Sequence, residues 1–167
     1  MESYREYFQT LFNYHYWGRY KILRHAANLS EAEFTRTLSK GYGSLRATLV
    51  HCIGAEWIWL ARWQGVPPIN PPREEQLTTV DLIRERWQAD EVQVRTFLKT
   101  LDDTGFSRVL QYTTRTGETL ARPTWHTLTQ IIEHGIQHRA EAAAMLTDLN
   151  QSPGNLDFLV FLDEQAK

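Results

Sequence analysis

Glu133-His134-Gly135-Ile136-Gln137-His138-Arg139 is the stretch around which this sequence is best read. Its two histidines are four residues apart. On an α-helix that spacing projects both imidazoles from one face, about one turn apart. Such a pair can share a single metal ion if another helix brings a third ligand, and His51 is the candidate for it. Imidazole suits zinc, nickel, copper and iron. The pattern therefore predicts a helical protein with a three-histidine site, His51, His134 and His138, with coordination positions left open. The zincin motif is excluded, because Gly135 stands where that motif needs glutamate. By spacing alone, the pair also fits two histidines that bind nothing, and His51 also fits a structural histidine.

Working outward, the stretch lies in a long apolar-periodic segment, about Trp125 to Leu149, entered through Pro123-Thr124. Leu128, Ile131, Ile132, Gly135, Ala142 and Leu146 form its stripe, with His134, His138, Glu141 and Met145 at the edge. His126 points elsewhere and is expected at the surface. Three further long helices are predicted: about Ser3 to Asn28, Leu45 to Gln64 and Val80 to Leu101. Their starts are marked by Ser44 and by Thr78 or Thr79, and Ser30 with Glu33 reads as a capping box for a short turn. Gly41-Tyr42-Gly43 interrupts any helix, and Gly65 with Pro67-Pro68 ends one. Asp102-Asp103-Thr104-Gly105 reads as a stop. A hairpin or extended excursion is expected around Arg115-Thr116-Gly117, and a short helix from Asn155 to Asp163 packs back through Leu156, Phe158, Leu159, Phe161 and Leu162.

Two charges fall inside apolar stripes, Glu56 and Arg139, and buried charges need partners, so the two are expected to pair with each other. His15 and His25 read as surface or boundary residues, and the many charges of the third long helix as a solvated face. The run Tyr14-His15-Tyr16-Trp17 is either core or a pocket wall. Around His51, Ala47, Thr48 and Ala55 leave room for a ligand. Glu133 and Glu141 are candidates to support the metal ligands, Glu133 reading more simply as a solvated residue.

The 167 residues, 42% hydrophobic and 23% charged, fit one domain spanning 1–167. A net charge of −2 gives no general pull toward nucleic acid. The single cysteine, Cys52, excludes an intramolecular disulfide and fits a reducing compartment. The polar start is unlike a signal peptide, and no apolar run is long enough to span a membrane. The expectation is a cytoplasmic protein acting on a small molecule, with neither nucleic acid nor membrane as partner.

Several pieces together resemble the DinB/YfiT-like superfamily of metal-binding four-helix proteins. They are Tyr14-His15-Tyr16-Trp17-Gly18-Arg19, Ser44 through His51 followed by Glu56 and Trp59-Leu60, His134 through Glu141, and Ser152-Pro153-Gly154-Asn155-Leu156-Asp157. They occur in family order over nearly the whole chain. The resemblance implies an all-α, up-down-down-up four-helix bundle, a homodimer, and His51, His134 and His138 as ligands of zinc or nickel. It also implies a metal-dependent enzyme, either a thiol-dependent S-transferase or an isomerase using a low-molecular-weight thiol. A metal-dependent hydrolase and a non-catalytic, stress-induced metal-binding protein are the alternatives. Many members have a second histidine and Arg-Gly-Gln after the motif; Gln137-His138-Arg139-Ala140-Glu141 departs from this while keeping the ligand histidine.

Overall fold

The computed structural model describes residues 3–166. They form α1 (Tyr4–Ala26), α2 (Glu31–Thr35), α3 (Leu45–Trp63), α4 (Val80–Thr100), α5 (Asp103–Ser107), strands β1 (Val109–Thr113) and β2 (Thr119–Pro123), α6 (Thr124–Asp148) and α7 (Phe158–Gln165). The starts are where short polar side chains can accept a free helical N–H. Ser3 and Ser30 each form a capping box, with Glu6 and Glu33. Ser44 accepts from the Ala47 amide and Thr79 from the Leu82 amide. The start of α6 is held differently: both the amide and the hydroxyl of Thr124 donate to the Arg108 carbonyl.

Around the core, α1 packs on α6 and α4, and α3 packs on α6 and α4. The apolar interior is two clusters, not one. Ile22, Leu49, Ile53, Ile83, Ala142 and Leu146 belong to the first, with Phe8, Phe12, Leu60, Val94, Leu128 and Ile131 in the second. Along α1 and α6 the chain runs from the second cluster to the first; along α3 and α4 it runs from the first to the second. Each long helix carries polar residues at the level between them: His15 and Arg19, Glu56, Asp90 and Glu91, and His138 and Arg139, all buried.

Strands β1 and β2 pair antiparallel from Val109–Pro123 to Thr113–Thr119. A two-stranded hairpin is marginal by itself. This one leans on α3, where Tyr112 packs edge-on to Trp59 and Arg62 Nη2 donates to the Thr113 carbonyl at 2.9 Å.

Four expectations are corrected. Asp102 does not simply stop a helix; its carboxylate caps the next one, α5, and so places Phe106 in the core against Phe8. The charges of α4 are not all solvated: Asp90 pairs with Arg86, and Glu91 pairs with Arg19 and Arg95. The terminal helix begins at Phe158, because Asn155 Oδ1 holds the Asp157 amide in a turn. From it Phe161 is buried, whereas Leu159 is 71% exposed and Leu162 38%. Among the described residues, no helix is long and apolar enough to cross a membrane.

Candidate metal centre

His51 lies in the first half of α3, and His134 and His138 lie mid-way along α6, the helix packed beside it. The helical repeat stacks His134 over His138, and the α3–α6 contact brings His51 to both. Ring centroids are 4.9 Å apart for His51 and His134, 4.8 Å for His51 and His138, and 4.4 Å for His134 and His138. One ring nitrogen from each lies within 4.8 Å of the other two. His51 Nε2 and His134 Nε2 are 2.9 Å apart.

The protonation states suit a metal. Burial, and then the neighbouring His138, lower the pKa of His51 to about 4; Arg115 adds to this and Glu141 opposes it. Burial, followed by His138 and His51, lowers that of His134 to about 4. Both rings are thus neutral at pH 7 and offer lone pairs. On His138, Nδ1 lies 2.7 Å from Glu141 Oε2, so Nδ1–H donates to the carboxylate and Nε2 is left for an ion. Glu133, the other candidate support, is exposed.

A loop that the sequence marks only as a helix break completes the site. Tyr42 stacks on His51 at 3.7 Å between centroids and meets His138 edge-on at 5.5 Å. The backbone gets there because Gly41 takes φ +53° and passes so close to α3 and α6 that a Cβ would lie 2.6 Å from Thr48 Oγ1 and 2.8 Å from Met145 Cε. The Tyr42 amide then donates to Thr48 Oγ1. The two glycines flanking Tyr42 mark only a break in the helix, so the sequence does not signal this placement.

His15 is not a surface or boundary residue. It is 2% exposed, with Nε2 2.8 Å from Glu56 Oε1 and Nδ1 2.9 Å from Arg139 Nη1. Burial lowers its pKa despite the adjacent carboxylate, so the ring is neutral. It donates from Nε2–H to Glu56 and accepts at Nδ1 from Arg139. The expected direct pair of Glu56 with Arg139 is thereby corrected: the imidazole stands between the two charges, and Trp87 Nε1 also donates to Glu56 Oε1. Gly135 is needed here, because a Cβ would lie 2.2 Å from His15 Cε1.

Beside the three histidines opens a cleft of about 560 Å³, within the usual range for small-molecule sites. Its lining includes Gly54 and, of the small residues expected to leave room beside His51, Ala47 and Ala55. Its walls include Tyr42, Ile58 and Trp59. Tyr14 and Trp17 do not wall it: Tyr14 packs on Phe158 and Phe161 of α7 and donates to the Leu156 carbonyl, and Trp17 donates to Glu164. Cys52 is next to His51 in sequence but points into the core, where burial pushes its thiol pKa up, so it offers no thiolate to the cleft.

The donor set could hold a divalent ion once its widest nitrogen pair, up to 4.8 Å apart, draws in. Two nitrogens bound to one zinc at about 2.0–2.1 Å are about 2.9–3.4 Å apart, and the His51–His134 separation of 2.9 Å lies at the short end of that interval. Neutral rings and a carboxylate behind one of them are what such a site requires. The DinB family model matches residues 2–167, nearly the whole chain. No curated protein matches it.

Proposed function

The chain belongs to the DinB family, and from that premise we propose that it is a metal-dependent enzyme whose divalent ion, zinc or nickel, is held by His51, His134 and His138. The observation that carries this reading is the trio of imidazoles, drawn from two helices, beside a cleft of small-molecule size. The ring of contacts among α1, α6, α3 and α4, with opposed chain directions, supports an up-down-down-up four-helix bundle as the frame.

Three protein ligands leave coordination positions for substrate, as catalytic sites do and closed structural sites do not. A divalent ion in such a site supplies Lewis acidity and favours the thiolate form of a thiol brought to it. The chain's own residues do the rest. Glu141 fixes the His138 tautomer by accepting Nδ1–H. Tyr42 holds the His51 ring by stacking and covers one side of it. Ile58 and Trp59 give an apolar surface for the body of a substrate.

The specific reading is transfer of a low-molecular-weight thiol to an electrophile. It is supported by the cleft having no thiol of its own among the described residues, since Cys52 is sealed away. Hydrolysis is less well served, because Glu141 is already engaged with His138 and is not free as a base. Elemental analysis of the purified chain is expected to show zinc or nickel in stoichiometric amount. Turnover of 1-chloro-2,4-dinitrobenzene with simple thiols is then expected to disappear in His134→Ala. Stoichiometric metal with no thiol turnover would favour a binding protein instead.

A further inference from the structure

The cleft carries guanidinium groups that the protein leaves without opposite charges. Arg62 has no carboxylate partner among the described residues. Its guanidinium is gripped between the rings of Trp59 and Tyr112, at 4.7 and 4.8 Å, and Nη2 is tied to the Thr113 carbonyl. Its Nε is buried without a hydrogen-bond partner. Arg115, in the exposed turn between β1 and β2, and Arg73, in the proline-rich loop, also line the cleft, and neither side chain is in an ion pair among the described residues. Of the two carboxylates lining it, Glu74 is paired with Arg46. Three cations therefore face one uncommitted anion, Glu75, in the cleft that also holds His51 and His134.

We infer that the ligand of this cleft carries an oxyanion group, received by Arg62 and Arg115, while its other end lies at His51 and His134. Arg62 is suited to the task because its position is fixed before any ligand arrives: two rings and a backbone carbonyl hold the fork in place. A preset guanidinium loses little freedom on meeting a carboxylate or phosphate and makes charge-assisted hydrogen bonds with it. Arg115 approaches from the opposite element, the hairpin, and its charge already reaches His51. The spacing also sets a size. Eleven residues of helix separate His51 from Arg62, a rise of roughly 16 Å between their Cα atoms, part of which the longer Arg62 side chain can close because helical side chains lean toward the N-terminus. The ligand is thus extended, on the order of 10 Å long, with an apolar middle over Ile58 and Trp59.

This inference rests on the proposed metal site only for the orientation of the ligand, and the test separates the two. Isothermal titration uses 4-phenylbutyrate, 4-phenylbutyl phosphate and uncharged 4-phenylbutanol against the full chain, as purified and after chelation. At least one charged probe is expected to bind about tenfold or more tighter than the alcohol, and the tighter of the two identifies the oxyanion. That advantage should shrink about tenfold in Arg62→Gln and in Arg115→Gln, fall with added salt, and be unchanged in Lys99→Gln on the exposed end of α4. If Arg62→Gln loosens the hairpin, Arg115→Gln still decides, since its side chain touches no other charge. Equal binding of charged and uncharged probes, or arginine variants that bind like the parent, overturns the inference. So does an oxyanion preference that vanishes on chelation, which would put the oxyanion on the ion. A chain that prefers the oxyanion yet holds no metal overturns the proposed centre and leaves this inference standing.

Discussion

Four of the six histidines fall in two places less than a turn apart along α6, and the two places are opposites. At His51, His134 and His138, three imidazoles face one another with no charge set between them, and one side opens to a cleft. At His15, a single imidazole is sealed in the core between Arg139 and Glu56, with both ring nitrogens taken. The first arrangement gathers ring nitrogens of all three histidines within 4.8 Å of one another, a set that could hold a cation. The second is complete, because the donor and acceptor on its two sides satisfy the ring and each other. Burial makes His15 neutral in the one, and His51 and His134 neutral in the other, but only unused lone pairs make a histidine a ligand. Gly135 separates the two regions by a single residue, since it follows His134 and faces the His15 ring.

The contrast can be broken from the sealed side first. Glu56→Ala removes the anion and leaves Arg139 buried and unbalanced, which is expected to cost about 3–5 kcal/mol in urea unfolding. The same region contributes to the acid sensitivity. Burial lowers the His15 pKa from its ordinary 6.5, so the unfolded chain takes up a proton there while the folded chain does not. That part of the stability is present above pH 6.5 and is lost as pH falls toward the folded value. The Glu56 carboxyl, held below its ordinary 4.5 in spite of burial by His15 and Arg19, adds a second loss at lower pH. His15→Gln should reduce the onset near 6.5 without abolishing it, since His51 and His134, lowered to about 4, share it in the metal-free chain; an unchanged stability–pH curve in that variant would show that the His15 ring does not contribute.

On the open side, His134→Ala is expected to lower metal affinity beyond the roughly 10–100-fold that loss of an outer partner costs. The stability of the metal-free chain should change by no more than about 1 kcal/mol. A variant that unfolds instead would mean that the trio is structural. Gly135→Ala tests the boundary: its methyl meets His15, and overpacking of this kind costs about 1–3 kcal/mol, read by thermal unfolding with metal content measured in parallel. The smallest effect belongs to Glu141→Gln, which keeps the shape but weakens the acceptor behind His138; about a tenfold loss of metal affinity is expected, with no change in fold by circular dichroism.

Much of the frame could be read in advance. Ser30 with Glu33, Ser44 and Thr79 mark helix starts by local hydrogen bonds, and these depend only on neighbours in the chain; the capping box of Ser3 with Glu6 is of the same kind, though the sequence marks only an approximate start there. The His134–His138 pair was legible for the same reason. His15 was not, because its partners Glu56 and Arg139 are distant in sequence and a histidine on a mostly aromatic stripe gives no local sign of burial. Asp90 and Glu91 look solvated until Arg19 arrives from α1. Leu159 and Leu162 look like core because hydrophobicity does not say which side of a short helix finds a surface to cover it. Tyr42 could not be placed, since nothing in Gly41-Tyr42-Gly43 says which ring it will meet.

The sequence by itself determined the helices, their caps and the family, because hydrophobic period, short polar caps and motif order are properties of neighbouring residues. Tertiary structure alone decided which histidines come together and which is walled off between charges. Both outcomes depend on how α1, α3 and α6 are placed against one another, and that placement is set by packing across the whole core, which no single stretch contains.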